Sequence, residues 1–451
     1  MKKRLQKALE DKDFAELLKG SGVSFFLRFG GLAVGFLLTW IIAYFFKADG
    51  LGDYVLATTV LSLFVLLAKI GLDTTAIRFI ASFASQEKWT SIFHFRKQAV
   101  IILSFTSIIA SILMYFLAIP IADLINTKAE YIQLNAFFVL PVAFFMLHYE
   151  SLRGLKRIAE FSFFYRMSQG LFSLLAIGVI YQFNKGAEVP VYAYLVSVLI
   201  VSILSFLSFR YWLKKRSDGK ESAEKEIMSY SMLLKISVPL MFAQSVQFIM
   251  AWTDKLMLGN MTNPEAVGIY FTAFKLSMFA AVALMSINSI AAPKFAEMFG
   301  KNDMEGLKKV AHQSTKMIFW TSLPLIVIFF SLPEFFLGLF GEEFKIGVTA
   351  FIFLSCGRLV SSFSGSVGSI LQMSGNQNIY GLILLLGAVM NVGLNFILIP
   401  EGNPLSGFGI SGINGAAFAS MCSLSFWNLS MVLVIKKKFG FYTFYIPFLK
   451  R

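Results

Sequence analysis

Four cationic side chains, Arg28, Lys69, Lys275 and Arg358, fall inside long apolar stretches, away from the polar loops where basic residues usually sit. A positive charge at the centre of a bilayer costs about 2.5–3.5 kcal/mol on insertion scales, so four of them facing lipid would need snorkelling or partners. A hydrated cavity with a positive lining is the alternative, and such a cavity suits an anion. Arg358 carries this reading furthest, because it lies about ten residues from either end of its stretch, too deep for its stem to reach the interface. A guanidinium offers planar paired donors to two phosphate oxygens and keeps its charge in a low dielectric. Arg28 lies nearer the end of the first stretch, where an anionic headgroup would enter and where snorkelling competes. Lys275 lies deep in the eighth. Lys69 and Asp73 are four residues apart on one helix face, so an internal ion pair is a rival to any role in binding. Asp254 and Lys255 are adjacent and diverge around a helix; Lys255 is expected to reach the interface, which leaves Asp254 as a counter-ion or a coupling-ion site. No cofactor is implied, no catalytic group is assigned and no metal centre is expected. His94, His148 and His312 are scattered, and Cys356 and Cys422 each sit in an apolar stretch.

The elements that must position these residues follow from composition. With 57% hydrophobic and 15% charged residues in 451, and a mean hydropathy of +0.70, the chain lies outside the range of soluble domains. Spans of about 20 apolar residues are expected at 22–46, 52–77, 99–119, 131–152, 161–183, 189–212, 233–259, 266–291, 315–337, 348–372, 379–400 and 409–435. The polar N-terminus and the length of the first span argue against a cleaved signal. If Met1 begins in the cytoplasm, the inward segments hold roughly 30 of the 40 Lys and Arg, and the outward loops hold Lys47, Lys128, Lys185 and Lys345. Both termini are therefore assigned to the cytoplasm, and the net charge of +14 is read as a basic inner surface rather than a nucleic-acid signature.

The expected fold is an all-α polytopic membrane protein of about twelve transmembrane helices in two six-helix lobes. The lobes are residues 1–212 and 233–451, joined by a cytoplasmic linker at 213–232. One constant offset pairs Gly52 with Gly268, Tyr54 with Tyr270, Ala57 with Ala273, Ala76 with Ala292, Phe79 with Phe295 and Phe83 with Phe299. This is an internal repeat whose copies enter the membrane in the same direction, and it places the substrate path between the lobes. The polar segments that follow, RFIASFASQEKWTSIFHFRKQ and PKFAEMFGKNDMEGLKKVAHQSTK, are expected to form short helices on the inner membrane face.

The stretch FKADGLGDYVLATTVLSLFVLLAKIGLDTTAIRFIAS resembles the second-span signature of the polysaccharide-biosynthesis branch of the multidrug/oligosaccharidyl-lipid/polysaccharide exporter superfamily. VPLMFAQSVQFIMAWTDKLMLGNMTNPEAVGIYFTAFKL, with Asp254, Gly259, Gly268 and Tyr270, is similar to the seventh and eighth spans of the same branch. The resemblance implies an O-antigen or exopolysaccharide flippase of the Wzx type in the bacterial inner membrane. Such a protein moves an undecaprenyl-pyrophosphate-linked oligosaccharide between leaflets by alternating access, and polysaccharide polymerase machinery is a possible partner. It would be a transporter and not an enzyme. The pyrophosphate would be held by Arg358, Arg28, Lys275 and Lys69, with Asp254 and Asp73 as counter-ion or coupling-ion positions.

Three other functions compete. A cation-coupled multidrug exporter would want buried carboxylates, yet only Asp73, Asp254 and Glu150 are candidates and basic residues outnumber them. A peptidoglycan-precursor flippase shares much of the pattern, although the best-known type has more spans. A polysaccharide polymerase or acyltransferase would need a catalytic constellation that the short outward loops do not hold.

Overall fold

The computed structural model describes residues 12–217 and 229–445; the N-terminal residues 1–11, the central part of the expected linker (218–228) and residues 446–451 lie outside the described residues. The helices, in chain order, are α1 (Lys12–Lys69), α2 (Leu72–Ser85), α3 (Trp89–Phe116), α4 (Ala118–Leu124), α5 (Ala129–Ala136), α6 (Val139–Gly154), α7 (Ile158–Phe163), α8 (Gln169–Ile180) and α9 (Val189–Ser217). They continue as α10 (Tyr230–Met261), α11 (Pro264–Gly300), α12 (Met304–Ser331), α13 (Pro333–Gly338), α14 (Val348–Ser364), α15 (Val367–Met373), α16 (Gln377–Leu398) and α17 (Gly412–Phe439). No strand occurs among the described residues. Within hydrocarbon a backbone must satisfy its polar groups inside its own segment, and a helix does so.

Nine of the described helical segments are long and apolar enough to cross a membrane, and a tenth is the pair α5 and α6, bent by 53°. Phe26–Lys69 counts as one of the nine although it covers two expected spans, which the non-helical Lys47 (φ 64°, ψ −179°) divides. The expected seventh span lies on α10. The helices are thus consistent with twelve spans in a multi-pass membrane protein. Side chains such as Phe105, Phe116, Phe183 and Phe396, each more than 65% exposed, form the kind of apolar surface that a soluble chain avoids and lipid covers.

Helix ends carry their own signals. Asn263 caps α11 by accepting from the Ala266 N–H at 2.8 Å, with Pro264 in the first turn. Asp303 caps α12 through the Gly306 N–H, and Gly440, in the left-handed region, ends α17. The two polar segments expected as separate interfacial helices are not separate. They form the end of α2 with the start of α3, and the end of α11 with the start of α12, joined by turns at Glu87 and Asn302 with positive φ. α3, α11 and α12 are long helices, whereas α2 is a distinct helix of 14 residues.

The chain forms two compact units. One comprises Met1–Phe46, Ala57–Asp123 and Lys128–Ser245; the other comprises Lys47–Leu56, Leu124–Thr127 and Val246–Arg451. In the first, α6 packs on α2, α3 and α9, and a small core gathers Ala57, Tyr131, Val191 and Leu195. In the second, α11, α14 and α17 pack together, with α12 and α16 on their flanks. The repeat has a structural counterpart here. A Cβ on Gly52 would lie 1.7 Å from the Pro264 carbonyl oxygen, and one on Gly268 would lie 2.1 Å from that of Ala48. The paired glycines therefore let two backbones cross in contact.

Candidate functional site

The second unit brings charged and polar side chains together around a cavity of about 110 Å³ lined by Asp254, Phe274, Arg358, Asn391, Ser420 and Trp427, among others. Each helix contributes by spacing. Tyr270, Phe274 and Met278 recur every four residues on one face of α11, and Asn391 and Asn395 do the same on α16. Ser420 and Trp427 come from α17, Arg358 from α14 and Asp254 from α10.

Asp254 is buried and accepts three hydrogen bonds: from the Tyr270 hydroxyl at 2.6 Å, from Asn395 Nδ2 at 2.7 Å and from the Ser420 hydroxyl. The Tyr270 and Ser420 hydroxyls also lie 3.2 Å apart, and Asn395 Nδ2 reaches Asn391 Oδ1 at 3.2 Å. Burying a carboxylate is costly unless donors replace its water, and three do so here. The Asn395 Oδ1 is buried without a partner.

Arg358 is differently placed. Its Nη2 donates to the Met278 thioether at 3.0 Å, its guanidinium lies 5.6 Å from the Phe274 ring centroid, and its Nε is buried without a hydrogen-bond partner. It takes part in none of the ion pairs found among the described residues. A thioether is a weak acceptor that neutralises nothing. The guanidinium therefore lines the same cavity as Asp254 without a contact ion pair among the described residues, and with donors to spare.

Lys275 and Lys255 occupy one aromatic neighbourhood. The Lys275 ammonium lies 5.3 Å from the Phe271 ring, and that of Lys255 lies 4.0, 5.4 and 5.0 Å from Trp252, Phe271 and Phe274. The expectation that Lys255 reaches the interface is not met: it is 3% exposed, and aromatic faces attract the ammonium in place of water.

The first unit holds the other expected residues. Lys69 Nζ and Asp73 Oδ2 are 2.6 Å apart and both side chains are buried, so this pair is an internal salt bridge. Arg28, on α1, lies close enough to Arg166 for their charges to repel, and Arg153 acts on Arg166 in the same way. Arg166 sits on a single π-helical turn, Phe164–Ser168, whose backbone at Arg166 would be 2.7 Å from a Cβ placed on Gly31. Glu150 pairs with Arg153 at 3.5 Å.

Sequence reasoning missed Asn391, Asn395 and Ser420 as site residues. A signal existed in the two amides four apart within the apolar run LILLLGAVMNVGLNFIL, which puts both on one helix face.

These features define a class, a multi-pass helical membrane transporter with a charged cavity inside one of its units. The chain belongs to the polysaccharide biosynthesis protein family, whose model matches residues 17–299, within the multidrug/oligosaccharidyl-lipid/polysaccharide exporter superfamily; the MatE model matches residues 239–397. Among relatives, the probable low-salt glycan biosynthesis flippase Agl15 of Haloferax volcanii is 24% identical over 243 residues, 53% of this chain and 47% of that protein. The chain thus matches about half the length of that relative. An inward-facing multidrug resistance MATE family transporter superposes with a TM-score of 0.72 at 15% identity, covering 89% of this chain and 94% of the other. The lipid II flippase MurJ in an inward closed conformation gives 0.69 at 16% identity, covering 94% and 89%. Both likenesses establish the fold.

Proposed function

We propose that this protein is a flippase for a polyprenyl-pyrophosphate-linked oligosaccharide, carrying an O-antigen, exopolysaccharide or capsule repeat unit from the inner to the outer leaflet by alternating access. The observation that carries the reading is Arg358, a membrane-embedded guanidinium without a carboxylate partner, lining a cavity of about 110 Å³. A pyrophosphate crossing hydrocarbon needs donors that replace its water, and a guanidinium with donors to spare supplies them. Arg28, Lys275 and Lys69 are further candidates for the passage of the headgroup, with Lys69 already committed to Asp73. The polyprenyl chain, in its undecaprenyl form, stays in lipid. The setting in this reading is a bacterial inner membrane, with polysaccharide polymerase machinery downstream and no chemical step performed by the chain.

Asp254 is assigned as the counter-ion of the cavity or the seat of a coupling ion, with Asp73 a second such position in the first unit. A cation-coupled multidrug exporter remains the competing function, and the Asp254 carboxylate in the same cavity is the observation in its favour. Substituting Arg358 by Ala separates them in cells. Polymer export is expected to cease at normal protein level, and full export by that variant would sink the pyrophosphate assignment.

A further inference from the structure

A second cavity of about 400 Å³ lies in the same unit, within the size range of small-molecule sites. Asn288, Ser369, Gln372, Tyr380, Trp427 and Asn428 supply its polar and aromatic lining, and no charged side chain among the described residues lines it. Trp427 also lines the smaller cavity that holds Arg358 and Asp254. One indole is therefore a wall common to a charged compartment and a neutral one.

The neutral compartment is built rather than left over. The expected tenth span breaks at Gly365, whose φ of +74° separates α14 from α15 and whose Cβ would collide with the Thr315 side chain; Gly365 itself lines the cavity. The Trp427 ring is seated on Gly387, where an added Cβ would lie 3.0 Å from Cε3, and the Tyr380 ring is seated on Gly368 at the same distance. Asn428 is fixed by donating through Nδ2 to Ser361 Oγ at 2.9 Å and to the Leu424 carbonyl at 2.8 Å, which leaves its Oδ1 as an acceptor. The Asn288 Oδ1 is buried with no hydrogen-bond partner. An orphaned buried acceptor costs free energy, and a ligand that donates to it recovers that cost.

Amides that donate and accept, a hydroxyl, a phenol and an indole face, with no formal charge, match a sugar: hydroxyl edges meet the amides and a C–H face lies on the ring. We propose that this compartment binds the sugar unit next to the pyrophosphate, stacked on Trp427 while Arg358 holds the phosphates across the same indole, and that this sugar is uncharged. The proposal rests on the flippase reading and adds a glycan subsite to it.

The test is equilibrium binding to the purified full chain in detergent. Three probes are used: a bare polyprenyl pyrophosphate, the same lipid bearing one neutral hexose, and the same lipid bearing a uronic acid. The hexose is expected to tighten binding about tenfold over the bare lipid, the equivalent of one or two good hydrogen bonds, and the uronic acid to add nothing. Trp427→Ala is expected to abolish the hexose increment. Asn288→Leu, a second variant whose side chain lines the neutral cavity and not the charged one, is expected to abolish the increment and leave the bare lipid unchanged. Equal binding of bare and hexose-bearing lipid, an equal gain from the uronic acid, or a hexose increment that survives both substitutions overturns the sugar subsite alone. Failure of the bare lipid to bind the wild type, or undiminished binding by Arg358→Ala, overturns the flippase reading beneath it.

Discussion

Replacing Asp254 by Asn and by Ala should have very different consequences, and the hydrogen bonds say why. In Asp254→Ala, three donors lose their acceptor. The Tyr270 and Ser420 hydroxyls, 3.2 Å apart, can satisfy one of themselves with the other, which leaves about two buried donors orphaned at about 1–3 kcal/mol each, a loss of about 2–6 kcal/mol. In Asp254→Asn, one oxygen can still face the two hydroxyls while the new NH₂ meets Asn395. A half-turn of the Asn395 amide then presents the Oδ1 that now lacks a partner. Weaker neutral bonds are offset by release of a buried charge, so the net cost should be within about 1 kcal/mol. Adding Asn395→Leu to Asp254→Asn removes that accommodation and should restore a loss of about 1–3 kcal/mol. Denaturant titration of the purified protein in micelles, read by tryptophan fluorescence, measures all three. If Asp254→Asn is as destabilised as Asp254→Ala, or Asp254→Ala is as stable as the wild type, the three donors do not stabilise this carboxylate in place of water. Transport by the stable Asp254→Asn variant then reports on the charge itself, and loss of turnover in a folded protein supports its counter-ion or coupling role.

Other expectations concern the scaffold and the buried pair. Gly52→Ala must push apart two backbones, with a Cβ 1.7 Å from the Pro264 oxygen, and should lower unfolding stability by about 1–3 kcal/mol or more. Gly393→Ala, on an exposed face of α16 with nothing within 4 Å, should be neutral or stabilising by up to about 1 kcal/mol; a reversed order in the same titration contradicts the crossing. Lys69→Met or Asp73→Leu alone leaves a buried charge and should cost about 3–5 kcal/mol, whereas the double variant should recover most of it. A double-mutant cycle with no coupling would show that the 2.6 Å pair contributes nothing.

Much of this architecture was legible from the residues, because an apolar run long enough to cross a bilayer has few other ways to fold. The depth of Arg358 in its run marked it as a side chain that could not reach the interface, and it lines a cavity. Four-residue spacing on one helix face predicts the Lys69–Asp73 pair; the 2.6 Å contact is there, but it spans the break at Ile70 and Gly71, both with positive φ, between the end of α1 and the start of α2. What the sequence concealed was convergence. Asn391, Asn395 and Ser420 are neutral and common in membrane helices, and nothing in their own helices shows that α10 brings a carboxylate to them. Lys255 looked able to reach the interface because the aromatic faces that bury it come partly from α11, another helix. The break at Gly365 and the π turn at Arg166 were hidden because hydropathy does not register a single residue of altered backbone.

The central claim is met most directly by leaflet-resolved transport in proteoliposomes, using a fluorescent polyprenyl-pyrophosphate-oligosaccharide with wild type and Arg358→Ala, and a cationic dye efflux assay on the same preparations. The flippase reading predicts that the wild type moves the lipid without moving dye and that Arg358→Ala, folded and reconstituted equally, does not move the lipid. Dye efflux with no lipid transfer would contradict it, place the protein with the drug exporters and turn attention from Arg358 to Asp254.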